Sequence, residues 1–335
     1  MLEIRNLTKT YRAQTAVNDL SFTVPDGQVT GFLGPNGAGK STTMRMAVGL
    51  ERPTSGEATF DGVPFRKLDN PGRVVGSLLD ATWFHPGRSA YQHLAILADL
   101  MRLPETRIEE CLEAVGLSGV AAKRVGGFSL GMKQRLGVAC ALMGNPKHVL
   151  LDEPVNGLDP EGVHWMRERI RALAADGCAV LVSSHLLSEM ELTADRLVVV
   201  GKGALIAEGT VEEFLSRGKA GTVEVEVLAE DVFRAVGLLE AEGLRVSVVS
   251  GGAGAGVGWG AGSDSSSDSS SGAGSDASSS AAKKALLRVD DAVADDIARL
   301  ALNNRLLITG LSAKKVSLED AFLDTTAGSV VYQAN

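Results

Sequence analysis

At 335 residues and 34.9 kDa, the chain can bury one large core and carry a second, smaller domain. Its formal net charge of −8 argues against a primary nucleic-acid role, because phosphate backbones are gripped by clustered Lys and Arg. The longest apolar runs, around Val149 to Leu151 and Leu197 to Val200, fall well short of the about 20 residues that a membrane helix needs. The opening MLEIRNLTKTY enters strand-like alternation directly, without the apolar stretch of a signal peptide. Cys111, Cys140 and Cys178 are far apart among apolar residues, with no CxxC pair or histidine cluster, and read as small core residues in a reducing compartment. A soluble intracellular protein is expected.

In chain order, Ile4 to Leu7, Leu20 to Val24 and Gln28 to Leu33 read as strands, with Pro25-Asp26-Gly27 turning between the second and third. Lys40 to Leu50 reads as a helix. From about 81 to 145 the pattern is mostly helical, over Ser89 to Leu103, Arg107 to Val115 and Leu130 to Met143. Strands return at Val149 to Leu151, Ala179 to Ser183 and Arg196 to Val200. The order predicts a strand-and-helix core over residues 1–220 with a helical insertion.

Residues 221–335 follow their own pattern. Val223, Val225 and Val227 alternate with polar neighbours at period two, as in a half-buried strand. A helix at Asp231 to Glu242 and a strand at Leu244 to Val249 follow. A second strand, helix and strand occupy Ala285 to Val289, Asp291 to Asn303 and Leu306 to Ile308. Strand-helix-strand twice predicts a small ferredoxin-like α+β domain. It is interrupted at 251–282 by Gly, Ser, Ala and Asp with a lone Trp259, a composition that cannot offset the entropy of ordering and predicts disorder. Doubling a surface loop costs only about 0.6 kcal/mol, so the segment reads either as an expanded connection or as a contact segment using Trp259.

Two motifs carry chemistry. Gly34-Pro35-Asn36-Gly37-Ala38-Gly39-Lys40-Ser41 is a GxxxxGK[ST] loop between a strand and a helix. Its backbone N–H groups and the helix N-terminus suit phosphate oxygens, Lys40 is placed for the β- and γ-phosphates, and Ser41 for Mg²⁺. Thr42 extends the candidate nucleotide-binding set. Downstream, the apolar run Val149-Leu150-Leu151 delivers Asp152 and Glu153 to a strand end. Asp152 would help to hold Mg²⁺, and Glu153 would polarise the water that attacks the γ-phosphate.

The order of these motifs resembles the ATP-binding subunit of an ABC transporter over residues 1 to about 220. That resemblance implies a P-loop NTPase with a RecA-like core, a β-rich N-terminal part and a helical signature subdomain, using ATP and Mg²⁺. By position, Tyr11 matches the aromatic that stacks on adenine, the lesser alternative being a plain core or turn aromatic. Phe128-Ser129-Leu130-Gly131-Met132 matches the family signature usually written LSGGQ, with Ser129 and Gly131 at positions that contact ATP held by a partner subunit. Asn156-Gly157-Leu158-Asp159 resembles the loop that communicates across the dimer, and His185 matches the histidine on the γ-phosphate. The segment Val75 to Asp80 resembles one that usually ends in Gln, so Asp80 stands as a shorter, charged candidate beside the metal.

Leu130 and Met132 replace the usual Gly and Gln, and together with Asp80 they resemble the bacitracin- and daunorubicin-exporter branch. Ser317 to Leu323 resembles the closing helix of the tail domain in that branch. The resemblance implies a homodimer in the ATP-bound state, separate polytopic membrane permease subunits, and a peripheral place on the cytoplasmic face of the plasma membrane. Trp83, Phe84 and His85 read either as an exposed docking cluster or as subdomain core. A sugar-importer ATPase would predict a β-barrel-like tail, and a soluble non-transport ABC ATPase would predict two cassettes, a coiled coil or zinc cysteines.

Overall fold

The computed structural model describes residues 1–12, 14–217, 222–250, 284–290 and 292–314. They divide into two compact units, 1–217 and 222–314, each with its own apolar core. The Gly/Ser-rich segment 251–282, with Trp259, and the helix expected at 317–323 lie outside the described residues.

The first unit opens with β1 (Leu2–Tyr11) and β2 (Gln14–Val24), then β3 (Val29–Leu33), α1 (Lys40–Ala47), β4 (Ser55–Phe60), β5 (Val63–Pro64) and β6 (Val75–Leu78). Three helices follow, α2 (Ala90–Met101), α3 (Thr106–Ala114) and α4 (Leu130–Leu142). The chain returns through β7 (His148–Asp152), α5 (Pro160–Ala175), β8 (Ala179–Ser184), α6 (Leu187–Glu191), β9 (Arg196–Gly201), β10 (Ala204–Thr210) and α7 (Val211–Arg217). One sheet is antiparallel, in the order β2-β1-β4-β5. The other runs β10-β9-β3-β8-β7-β6, parallel from β9 to β6, with β10 antiparallel at its edge.

Strands β3 and β8 are buried along their whole length, as parallel strands covered on both faces must be. Their side chains alternate between two cores. Val149, Leu151, Val180 and Val182 pack toward the helical layer, while Leu150, Leu181, Val198 and Phe32 pack toward α1 and the antiparallel sheet. The helical layer is pinned by polar contacts at its ends. Ser89 and Gln92 form a reciprocal capping box at the start of α2 (3.0 and 3.1 Å). The Arg107 guanidinium donates to the Leu142 and Met143 carbonyls (2.8 and 3.0 Å) at the C-terminus of α4.

The second unit contains β11 (Thr222–Leu228), α8 (Val232–Ala241), β12 (Arg245–Ser250), β13 (Lys284–Asp290), α9 (Ala294–Asn303) and β14 (Ile308–Lys314). Its sheet order β12-β13-β11-β14, antiparallel throughout, is the ferredoxin-like arrangement. Val223, Val225, Val227, Leu287 and Val289 pack under both helices, and Glu226 pairs with Lys284 (2.8 Å) across neighbouring strands. The last strand runs later than the expected Leu306 to Ile308. Thr309-Gly310-Leu311-Ser312 reads locally as a turn, and only pairing with β11 extends it.

Beyond the expected elements the structure adds β4, β5, β6, β10, α5, α6 and α7. For α5 the local signal existed in Asp159-Pro160, an N-cap residue followed by proline at the first helical position. Strand β6 has only four residues and carries a glycine, which leaves no readable period.

His148 begins β7 fully buried, its Nε2 3.0 Å from Asp61 Oδ2 and its ring 5.3 Å from that of Phe60. Its Nδ1 is buried without a partner among the described residues. Burial outweighs the pull of Asp61 and holds the imidazole below its ordinary value of 6.5. The unfolded chain therefore takes up this proton first, so the contribution to stability is complete above that value and is lost as pH falls below it. We expect the urea midpoint to fall between about pH 7.5 and about pH 5.5, and to fall less in His148→Gln. Equal falls in both proteins would show that His148 does not set this dependence.

Candidate active site

Strand register assembles the site. Leu33 of β3 pairs with Ser184 of β8, and Ser183 pairs with Asp152 of β7. The chain thus leaves three adjacent parallel strands at one carboxyl edge, toward Gly34, His185 and Glu153. This is the edge at which open α/β sheets hold ligands. A cleft of about 230 Å³ lies there, lined by Ala16, residues 36–42, Glu153, Asn156 and His185.

The loop from Gly34 to Gly39 turns tightly into α1. Gly39 has φ +99° and sits so close to β2 that a Cβ would come 2.6 Å from the Ala16 carbonyl oxygen, so only glycine fits. The turn between β9 and β10 braces the loop, the Gly203 N–H donating to the Ala38 carbonyl (3.2 Å). Lys40 is buried, and its ammonium donates to the Gly34 (2.6 Å) and Pro35 (3.3 Å) carbonyls, with Glu153 Oε1 at 3.5 Å. These oxygens offset the cost of burying the charge.

Glu153 stands at φ +47°, a left-handed backbone that is rare for a side chain of its size. Ser183 holds it there. The Ser183 hydroxyl accepts from the Glu153 N–H (2.9 Å) and donates to Asp152 Oδ1, so one buried oxygen fixes both acids. The Glu153 carboxylate in turn accepts from His185 Nδ1 at 2.8 Å. A carboxylate only accepts, so the ring carries a proton on that nitrogen. The result is an aligned Lys40, Glu153 and His185 at one wall of the cleft. That arrangement can bind phosphate oxygens and orient a water beside them.

Other expected residues lie elsewhere. Tyr11 ends β1 at 42% exposure, which excludes the core alternative. Its hydroxyl bonds Glu51 and Thr42, and Lys9 Nζ lies 4.7 Å from the ring centroid. Partial burial, and then Glu51, push its phenol above the usual range. Ser129 caps α4 by accepting from the Met132 N–H (3.2 Å), and Asp159 caps α5 by accepting from the Gly162 N–H (3.0 Å). Neither Ser129, Gly131 nor Asp159 lines the cleft of its own chain.

Asp80 stands apart from the cleft in this structure. It was expected beside the metal, but its Oδ1 accepts from both the N–H and the hydroxyl of Thr82 (2.7 and 2.6 Å), and it lines a different groove. It follows β6, the neighbour of the strand that ends in Asp152, and here its carboxylate is turned to Thr82 and does not line the cleft. Conversely, Ser183 and Ala16 were not foreseen as site residues, and Asn156, expected in the loop that communicates across the dimer, lines the cleft of its own chain. Ser183 became recognisable only through its register with Asp152, which no local pattern carries.

Comparison with known proteins agrees with this geometry. The family described as ABC transporter matches residues 17–156. A lantibiotic transport ATP-binding protein, SrtF of Streptococcus pyogenes, is 40% identical over 62% of this chain and 90% of its own length. The chain belongs to the ABC transporter ATP-binding family. The bacitracin transport ATP-binding protein BcrA of Bacillus licheniformis is likewise 40% identical, over 72% of this chain and 78% of its own. A solved ATP-binding subunit of an ABC transporter superposes with a TM-score of 0.59 at 30% identity, covering 65% of this chain and 92% of that one. As an ABC ATPase the chain binds and hydrolyses ATP.

Removing the Ser183 hydroxyl leaves the Asp152 oxygen and the Glu153 N–H short of a partner and frees Glu153 from its strained backbone. For Ser183→Ala we expect a stability loss of about 1–3 kcal/mol by denaturant titration. Steady-state ATP turnover should fall about tenfold or more, while ATP still binds. Unchanged turnover would mean that Ser183 does not position Glu153.

Proposed function

We propose that the chain is the ATP-hydrolysing subunit of an exporter that moves a drug, antibiotic or lipid-like substrate through separate membrane subunits. The observation that carries the enzymatic part is the Lys40, Glu153 and His185 cluster facing the phosphate loop across one cleft. Lys40 and the loop N–H groups hold the phosphates, Glu153 accepts a proton from the attacking water, and His185 lies against the γ-phosphate. The Ser41 hydroxyl and an Asp152 oxygen are hard ligands suited to Mg²⁺, which needs only one or two protein oxygens beside phosphate. When bound, Mg²⁺ would neutralise phosphate charge.

Two bodies are required. Ser129 and Gly131 are absent from the lining of their own cleft, which supports their service to ATP held by a second copy. A head-to-tail homodimer closed by two ATP molecules follows, in which the helix start at Ser129 adds charge stabilisation of a class worth roughly 10³–10⁵ in rate.

Export is supported by the bacitracin and lantibiotic transport ATPases among the relatives. No helix among the described residues is long and apolar enough to cross a membrane, so the pathway is assigned to separate permease subunits and the chain to a peripheral place on the cytoplasmic face of the membrane. Their docking surface is the groove of about 350 Å³ lined by Leu78, Asp80, Trp83, Phe84 and Met101. Trp83 is 59% exposed there, whereas Phe84 packs on the core and edge-on against His93 at 5.0 Å. The antiparallel ferredoxin-like second unit favours this reading over a sugar-importer ATPase with a barrel-like tail.

Glu153→Gln should keep ATP binding, lower turnover by about 100-fold or more, and accumulate as an ATP-bound dimer on size-exclusion chromatography. Wild-type turnover in this variant would end the role given to Glu153. Trp83→Ala should reduce co-purification with its membrane subunits, and undiminished recovery would move the docking surface elsewhere.

A further inference from the structure

The helix start at Ser129 and the loop after β7 mesh through two reciprocal contacts. Leu130, the first residue of α4, is 42% exposed, yet its Cδ2 lies so near Gly157 that a Cβ there would come within 2.3 Å. One residue further along each segment the sizes invert. Leu158 Cδ2 lies 3.4 Å from where a Cβ on Gly131 would stand. Leu130 covers Gly157, and Leu158 covers Gly131.

The two ends of this mesh are anchored differently. Leu158 packs against the main core, and the following Asp159 caps α5. Leu130 belongs to no buried cluster, so its contact is with the loop rather than with the core. Asn156, the residue before Gly157, lines the ATP cleft of its own chain. The mesh therefore joins a residue at one ATP cleft to Ser129 and Gly131, which face the other ATP.

We propose that Leu130 is a positioning residue that locks Ser129 and Gly131 to the loop 156–159, so that occupancy of one ATP cleft sets the placement of the signature for the second. The proposal rests on the two-body reading above. Its leverage is geometric, since a misplacement of about 1 Å can cost about 100-fold in rate.

The test uses the full chain. In a Glu153→Gln background, Leu130→Ala and Gly157→Asn should each weaken the MgATP-dependent dimer about fivefold, while ATP affinity of the isolated subunit stays at the parent value. Asparagine is among the side chains that best accept the φ of +71° at Gly157, so its Cβ displaces Leu130 with less backbone strain than most residues would add. With Glu153 intact, the same variants should lower the Hill coefficient for ATP toward one, and Leu130→Met, of similar reach, should restore both readouts. Should Gly157→Asn fail to fold, Leu130→Ala, altering an exposed side chain, carries the test alone. Dimer affinity and Hill coefficient at parent values overturn the proposal, and so does a loss in Leu130→Met equal to that in Leu130→Ala. A Glu153→Gln parent that stays monomeric in MgATP overturns instead the two-body reading, and the lock with it.

Discussion

The in-register parallel pairing of β3, β8 and β7 is the constraint on which the site depends. Leu33 against Ser184 and Ser183 against Asp152 make three strand ends level, so the phosphate loop, His185 and Glu153 emerge side by side. A slip of one residue in any pair would turn that strand's side chains to the opposite face and exchange its partners in the two cores. The pairing is protected because Val149, Leu151, Val180 and Val182 commit one face to the helical layer, while Leu150 and Leu181 commit the other to α1. Packing on both faces of the sheet thereby fixes the geometry of the polar edge.

That edge holds two unfavourable features, and each is met by a neighbour. The left-handed backbone at Glu153 is of a class that costs about 1–3 kcal/mol. The Ser183 hydroxyl secures it from the adjacent strand, and through Asp152 it joins both acids to one rigid element. The buried Lys40 charge is met by two loop carbonyls and by Glu153 itself. Glu153 is thus restrained at its backbone by a serine and at its carboxylate by a lysine and a histidine, which leaves its side chain little freedom to lose during reaction.

The parts legible in the sequence were those with strong local signals. The glycine-rich loop, the apolar strand ending in two acids, and the period-two valines of β11 all appear where they were expected. The parts that failed were set by tertiary pairing. Ser183 is unremarkable in its own segment and becomes the hub of the acids only across a strand pair. Strand β14 carries a turn-like Thr-Gly and extends only because β11 offers an edge. Asp80 stood in a recognisable segment, but its carboxylate is taken by the N–H and hydroxyl of Thr82, a turn contact that the motif does not encode. Trp83 and Phe84 divided between the two readings because adjacent residues of a turn face opposite ways, one to solvent and one to the core.

The separation of Asp80 from the cleft also constrains how ATP chemistry can reach the proposed docking groove. The groove and the cleft are different places, so an element must connect them. Helix α1 begins at Lys40 in the cleft and carries Arg45 near its end, where the guanidinium stands 5.4 Å from the ring of Trp83. At 1.5 Å per residue its eight residues make a strut about 12 Å long. Its Met44 and Met46 are buried between the two sheets, so it shifts with the sheet and not independently of it. A cation over an exposed aromatic ring contributes only about 0.5–1 kcal/mol. The contact is therefore weak enough to give way to the docking proposed at this groove.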